Sequence, residues 1–178
     1  MSFTNIEIKA RTNRPDKIRQ ILLEHNASFE GTDQQTDTYF KVPEGRLKLR
    51  EGNIENNLIF YNRPDQAGPK KSDFRMVPVS NGGELAKMLR ESIGVLTVVR
   101  KSREIYFIDN IKFHIDTVEG LGNFVEIEAG NLRRDIEVEK LYEQCNHYLK
   151  LLEINNSDLI EISYSDMLLK PAVNEDNG

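Results

Sequence analysis

The chain of 178 residues carries 24 Lys and Arg against 29 Asp and Glu, a formal net charge of −5, which excludes a broad nucleic-acid-binding surface and leaves room only for a local cluster of cations. Its length suits one domain, placed at residues 1–170, that buries about 70% of the surface its unfolded form exposes, so the lone Cys145 serves neither a disulfide nor a structural metal and reads as a core residue. No apolar run is long enough to span a membrane and no basic-then-apolar signal opens the chain, so a soluble, cytoplasmic protein is expected.

Residues 3–11 alternate in "NIEIKAR": Glu7 and Lys9 share one face of a strand, Ile6 and Ile8 the other. On this strand alone, the charged face suits water as well as a polar interior. Pro15 then opens an amphipathic helix with Ile18, Ile21 and Leu22 on one side. From Thr36 the runs "TDTYFKV", "GRLKLRE", "NNLIFYNR" and "DFRMVPV" predict successive antiparallel strands, separated by Pro- and Gly-bearing turns. "GGELAKMLRESIG" predicts a helix ending at Gly94. Strands follow at 96–109, 111–118 and 123–130, with Asp109-Asn110 as a tight hairpin turn. A helix over 135–152, a short one over 163–169 and a disordered tail "PAVNEDNG" (171–178) complete the chain. About eight short antiparallel strands with few helices favour a closed barrel, because closure removes unpaired edges, in an α+β fold with the helices packed outside.

The charges are sorted by strand. "FVEIEA" places Glu126 and Glu128 on one face, as Glu7 is placed on the first strand. "GRLKLR" gathers Arg46, Lys48 and Arg50; "RKSREIYF" aligns Lys101 with Arg103; "KFHID" aligns Lys112, His114 and Asp116. Solvent-facing strands would mix the signs. Three like charges on one strand face repel without a partner, and removing Arg50 is expected to relieve that repulsion in the empty protein. An anion threaded through the barrel resolves it: phosphates accept charge-assisted bonds from Arg and Lys, and a hard cation bridges them to the carboxylates. The polar face is then the inside, and the apolar faces pack outward against the helices.

With "NIEIKAR", "DTYF", "LKLRE", "KSREIYF", "GLGNFVEIE" and "SYSDMLL" in this order, the chain resembles the CYTH superfamily of triphosphate tunnel metalloenzymes from residue 3 to about 169. The resemblance implies that Glu7, Glu126 and Glu128, joined by Asp116, hold Mg²⁺ or Mn²⁺. It also implies that Lys9, Lys48, Arg50, Lys101 and Arg103 grip a triphosphate, with Lys9, Arg50, Lys101 and Arg103 in the catalytic roles and Arg63, Lys112 and His114 in the binding set. A solvent-facing strand charge is the alternative for the charged residues, and for His114 a satisfied structural or lumen-wall histidine is favoured over a catalytic base. Two positions depart from the family pattern. Its opening Glu-x-Glu-x-Lys has Asn5 for the first Glu, and its Lys after the strand aromatic is Asn62, so Arg63 fills that place only if a bulge turns it inward. Lys70, Lys71 and Arg75 are then candidates to reach over the tunnel mouth. The implied reaction is that of class IV adenylyl cyclases, ATP to cyclic AMP and pyrophosphate. The alternatives are a triphosphatase on inorganic triphosphate or thiamine triphosphate, and a non-catalytic polyphosphate- or nucleotide-binding module. The expected partner is ATP or another triphosphate, without nucleic acid or membrane, and a homodimer is left open.

Overall fold

The computed structural model describes residues 2–131 and 135–170; the tail expected to be disordered lies outside them. In chain order the strands are β1 (Ser2–Arg11), β2 (Ser28–Phe40), β3 (Arg46–Glu51), β4 (Asn57–Asn62), β5 (Lys70–Pro78), β6 (Val95–Ile108), β7 (Ile111–Val118) and β8 (Gly122–Gly130). The helices are α1 (Pro15–Glu24), α2 (Gly82–Ser92), α3 (Val138–Leu151) and α4 (Tyr164–Leu169). The strands close into one antiparallel barrel in the order β1-β5-β4-β3-β2-β6-β7-β8. The expected α+β fold, a closed eight-stranded antiparallel barrel with amphipathic helices outside, is therefore the one observed.

Strand alternation decides which chemistry goes inside. Ile6, Ile8 and Ala10 of β1, Phe113 and Ile115 of β7, and Val125, Ile127 and Ala129 of β8 face outward and are buried against Ile18 and Leu22 of α1 and Leu141 and Cys145 of α3. Burying a large aliphatic or aromatic side chain contributes about 1.5–3 kcal/mol, and the larger of two apolar clusters lies between the barrel wall and its helices, the smaller, with Tyr39, Ile59, Tyr61 and Tyr164, at the cavity itself. The barrel interior is left to the other face, where the charges are.

Turn chemistry places the hairpins. Asp109 adopts φ 52°, a left-handed conformation that Asp tolerates, and joins β6 to β7 where expected. Asn81 accepts a bond from the Glu84 amide to start α2, and Ser163 does the same for Asp166 at α4. β2 is longer than its sequence suggests and begins at Ser28. Its pairing with β6 slips between Phe29 and Gly31, and its inward residues Asp33, Gln35 and Asp37 are all polar, so no apolar alternation announces it.

Candidate active site

The barrel encloses a cavity of about 340 Å³ lined from all eight strands. At ~30 Å³ per water, this is room for on the order of ten waters or a short phosphate chain. Seven lining side chains are cationic (Lys9, Lys48, Arg50, Arg63, Lys101, Arg103 and Lys112) against six carboxylates (Glu7, Asp37, Glu55, Asp109, Glu126 and Glu128). A chain with a net charge of −5 thus surrounds its lumen with one more positive than negative group.

One cluster is organised by Asp37, which β2 places directly across from Arg50. Arg50 donates Nε to Oδ1 at 2.9 Å and Nη2 to Oδ2 at 2.8 Å, Lys101 donates to Oδ2 at 2.8 Å, and Lys48 stands 3.5 Å away. Burial pushes the Asp37 carboxyl up, but Arg50, Lys101 and Lys48 together hold it well below the ordinary range. Burial also lowers Lys101 to about 7, because the single charge of Asp37 is shared and Arg50, Arg103 and Lys48 add repulsion. The cations of β3 therefore do have a partner in the empty protein, which corrects the expectation that removing Arg50 relieves repulsion. Arg46 turns away from this group and pairs with Asp166 of α4 at 3.0 Å.

A second cluster surrounds Glu126. Lys9 lies 3.4 Å from it, Arg103 3.3 Å and His114 Nδ1 3.5 Å. Arg103 also forks onto Asp116 at 2.7 and 2.6 Å, and Tyr164 of α4 donates its hydroxyl to the same carboxylate at 2.8 Å. Asp116 is fully buried with both oxygens engaged and holds the Arg103 guanidinium in place. The Tyr164 ring lies 3.7 Å from Lys9 Nζ, a cation–π contact, and burial lowers Lys9 to about 8.

The carboxylates crowd one wall. Glu7 of β1 is in register with Glu128 of β8, like charges directly opposite on the lumen face. Arg63 bonds to Glu7, but among the described residues Glu128 has no Lys or Arg ion-pair partner within 4 Å, and His114 Nδ1 lies 3.8 Å from it. His114 is 1% exposed, and neither of its ring nitrogens has a hydrogen-bond partner. One ligand atom from each of His114, Glu126 and Glu128 fits within 4.8 Å of the others. This donor set, hard carboxylate oxygens with a neutral imidazole kept unprotonated by burial and by Arg103, suits a divalent cation. Asn5 lies on the same wall opposite Gly130, its amide oxygen filling the space a Cβ on that glycine would take.

Of the residues singled out from the sequence, Glu7, Lys9, Lys48, Arg50, Arg63, Lys101, Arg103, Lys112, Glu126 and Glu128 line the cavity, while His114 and Asp116 are buried in the wall behind it. No bulge is needed for Arg63: Asn57, Ile59 and Tyr61 face the lumen, and plain alternation brings Arg63 in and leaves Asn62 out. Lys71 and Arg75 are exposed and Lys70 is buried against the carbonyl of Glu161, and none of the three lines the cavity. Sequence reasoning gave no role to Asp37, Glu55 or Tyr164. For Asp37, the signal was the spacing of Asp33, Gln35, Asp37 and Tyr39, alternate residues of one strand.

Residues 4–161 match the model of the CYTH domain family. The chain is 27% identical to a putative adenylate cyclase of Methanocaldococcus jannaschii over 171 residues, 91% of this chain and 97% of that protein. The PH1012 protein of Pyrococcus horikoshii shares its fold with a TM-score of 0.75 and 23% identity, over 91% of this chain and 98% of the other. A Hippeastrum protein, named a putative adenylyl cyclase with a dominant triphosphatase activity, superposes with a TM-score of 0.62 at 15% identity, over 94% of each chain.

Because Arg50 is the bidentate partner of a buried carboxylate, Arg50→Ala should lower the stability of the ligand-free protein by about 3 kcal/mol in urea denaturation. Unchanged stability would mean that Lys48 and Lys101 alone satisfy Asp37.

Proposed function

This chain belongs to the CYTH domain family, and from that premise we propose that it is a divalent-metal-dependent enzyme acting on a triphosphate, a class IV adenylyl cyclase-like protein that converts ATP to cyclic AMP and pyrophosphate. The observation that carries the reading is the convergence of seven cations on one lumen in which, among the described residues, Glu128 has no Lys or Arg ion-pair partner. Such a lumen has donors for a polyanion and carboxylates for a metal.

Lys48, Arg50, Lys101 and Arg103 are the grip. Their positions are fixed by Asp37 and Asp116, so a phosphate chain meets guanidinium and ammonium groups that are already in place. Glu126 and Glu128, with Glu7 and His114 beside them, would hold Mg²⁺ or Mn²⁺, and the imidazole favours Mn²⁺ more than an all-oxygen set would. When bound, the metal neutralises phosphate charge and stabilises the leaving group. In the cyclase reaction the ribose 3′-hydroxyl gives up its proton to solvent and its oxygen bonds to the α-phosphorus as the bond from that phosphorus to the bridging oxygen breaks, and pyrophosphate leaves. Ile59, Phe74 and Met76 give the cavity an apolar side on β4 and β5, which suits a nucleoside better than bare triphosphate. The enzymatic alternative is a triphosphatase, in which water attacks a terminal phosphorus on the same grip. The non-catalytic alternative, motivated by Asn5, is a polyphosphate-binding module.

Incubation with ATP, inorganic triphosphate and thiamine triphosphate, each with Mg²⁺ or Mn²⁺, should yield cyclic AMP and pyrophosphate from ATP. Orthophosphate as the main product would establish the hydrolase instead, and no turnover at all would leave the binding module.

Glu128→Gln removes a hard anionic ligand, so Mn²⁺ affinity measured by calorimetry should fall about tenfold or more in a normally folded protein.

A pH dependence follows from Lys101. With its amine lowered to about 7, the empty protein loses that charge as pH rises, while a bound triphosphate restores it. Binding near pH 8 should therefore take up protons, and affinity should weaken as pH climbs above about 7. Calorimetry in buffers of different ionisation enthalpy measures the uptake; its absence would show that Lys101 stays charged throughout.

A further inference from the structure

Glu55 lies on the β3–β4 connection and joins two walls of the barrel. Its Oε2 accepts from Arg50 Nη1 on β3 at 3.0 Å and from Gln35 Nε2 at 3.1 Å, and its Oε1 accepts from Lys112 Nζ on β7. β3 and β7 are not neighbours, since β2 and β6 intervene, so this carboxylate links separate parts of the wall. The connection is built to present it. Asp33, fully buried, accepts the backbone amides of Ile54 and Glu55 at 2.9 Å each, and a Cβ at Gly52 would collide with the same Asp33 carboxylate.

The two carboxylates on Arg50 differ in kind. Asp37 takes Nε and Nη2, sits on a strand and is 1% exposed; Glu55 takes only Nη1, sits on a connection, and its side chain is 19% exposed. Arg50 can release Glu55 without leaving its position, because its fork on Asp37 stays intact. Lys112 has Glu55 as its ion-pair partner, so both cations hold in the empty protein an anion that is not the ligand.

We propose that Glu55 is an internal competitor for the substrate: its carboxylate occupies the donors of Arg50 and Lys112 in the empty tunnel, and the incoming anion must displace it. This rests on the reading of the tunnel as a triphosphate site. A phosphate group brings more charge and more acceptor oxygens than a carboxylate, so a polyphosphate displaces Glu55 where a singly charged anion does not. Glu55 thereby sets a threshold that selects multiply charged phosphate chains, and its return to the cations favours release of the product.

The test is calorimetric titration of tripolyphosphate, with Mg²⁺ present, into the wild type, Glu55→Gln and Asp109→Asn. Asp109 lines the same cavity and has a φ of 52° that Asn adopts equally well; Arg50 and Lys112 pair with Glu55 rather than with it, so its substitution controls for general repulsion. Glu55→Gln should bind roughly fivefold tighter or more, because the fraction of molecules with free donors rises, and Asp109→Asn should stay within about twofold of the wild type. Equal gains in both variants, or binding by Glu55→Gln no tighter than wild type, would overturn the competitor. Should Glu55→Gln not fold, Glu55→Asp, whose carboxylate is drawn back by one methylene, should shift affinity the same way to a smaller degree, and no shift would overturn the proposal equally. A wild type and variant that both fail to bind tripolyphosphate would overturn the tunnel reading itself, a result distinct from binding that ignores Glu55.

Discussion

One buried carboxylate, Asp37, holds Arg50 and Lys101 by direct bonds and Lys48 at 3.5 Å, and the lumen depends on it. Removing charged groups from water costs several kcal/mol per ion unless partners compensate, so a barrel that turns its polar face inward must first satisfy its own charges. Asp37 does this for one group of cations, and Glu126 with Asp116 does it for Lys9 and Arg103. The same pairs that make the empty lumen tolerable also fix the cations in place, which is the preorganisation an anionic transition state needs.

The geometry separates holding from binding. Asp37 and Asp116 face guanidinium forks and are almost wholly buried, so they act through the arginines they orient. Glu7, Glu126 and Glu128 are in register or adjacent on β1 and β8, where Arg63 pairs with Glu7, and Lys9 and Arg103 pair with Glu126. His114 lies beside Glu126 and Glu128 with neither nitrogen bonded. A protein core does not ordinarily leave imidazole nitrogens unpartnered beside carboxylates, and a divalent cation would take one of these nitrogens together with the carboxylates.

Much of this was legible in the residues. β1, β7 and β8 were readable because their two faces differ so sharply, Ile6 and Ile8 against Glu7 and Lys9, or Ile127 against Glu126 and Glu128. The first half of β2 was not, because a slip at Gly31 interrupts it and its inward face is polar. Asp37 and Glu55 were missed for a different reason: Lys101 of β6 and Lys112 of β7 reach them from strands distant in sequence, and Arg50 meets Asp37 only in one register of the β2–β3 hairpin, none of which periodicity specifies. The bulge expected for Arg63 was not needed, since counting by twos from Asn57 through Ile59 and Tyr61 reaches Arg63 rather than Asn62. The repulsion expected among the β3 cations overlooked that a neighbouring strand can supply the counter-charge as well as a ligand can.

The most direct test of the central claim is a crystal structure with Mn²⁺ and a non-hydrolysable ATP analogue, with the metal located by its anomalous signal. The account predicts a manganese peak against Glu126 and Glu128, and the phosphates between it and Lys48, Arg50, Lys101 and Arg103. A metal and nucleotide bound on the outside of the barrel, with the Asp37 and Glu126 ion pairs undisturbed and the lumen holding water alone, would contradict it.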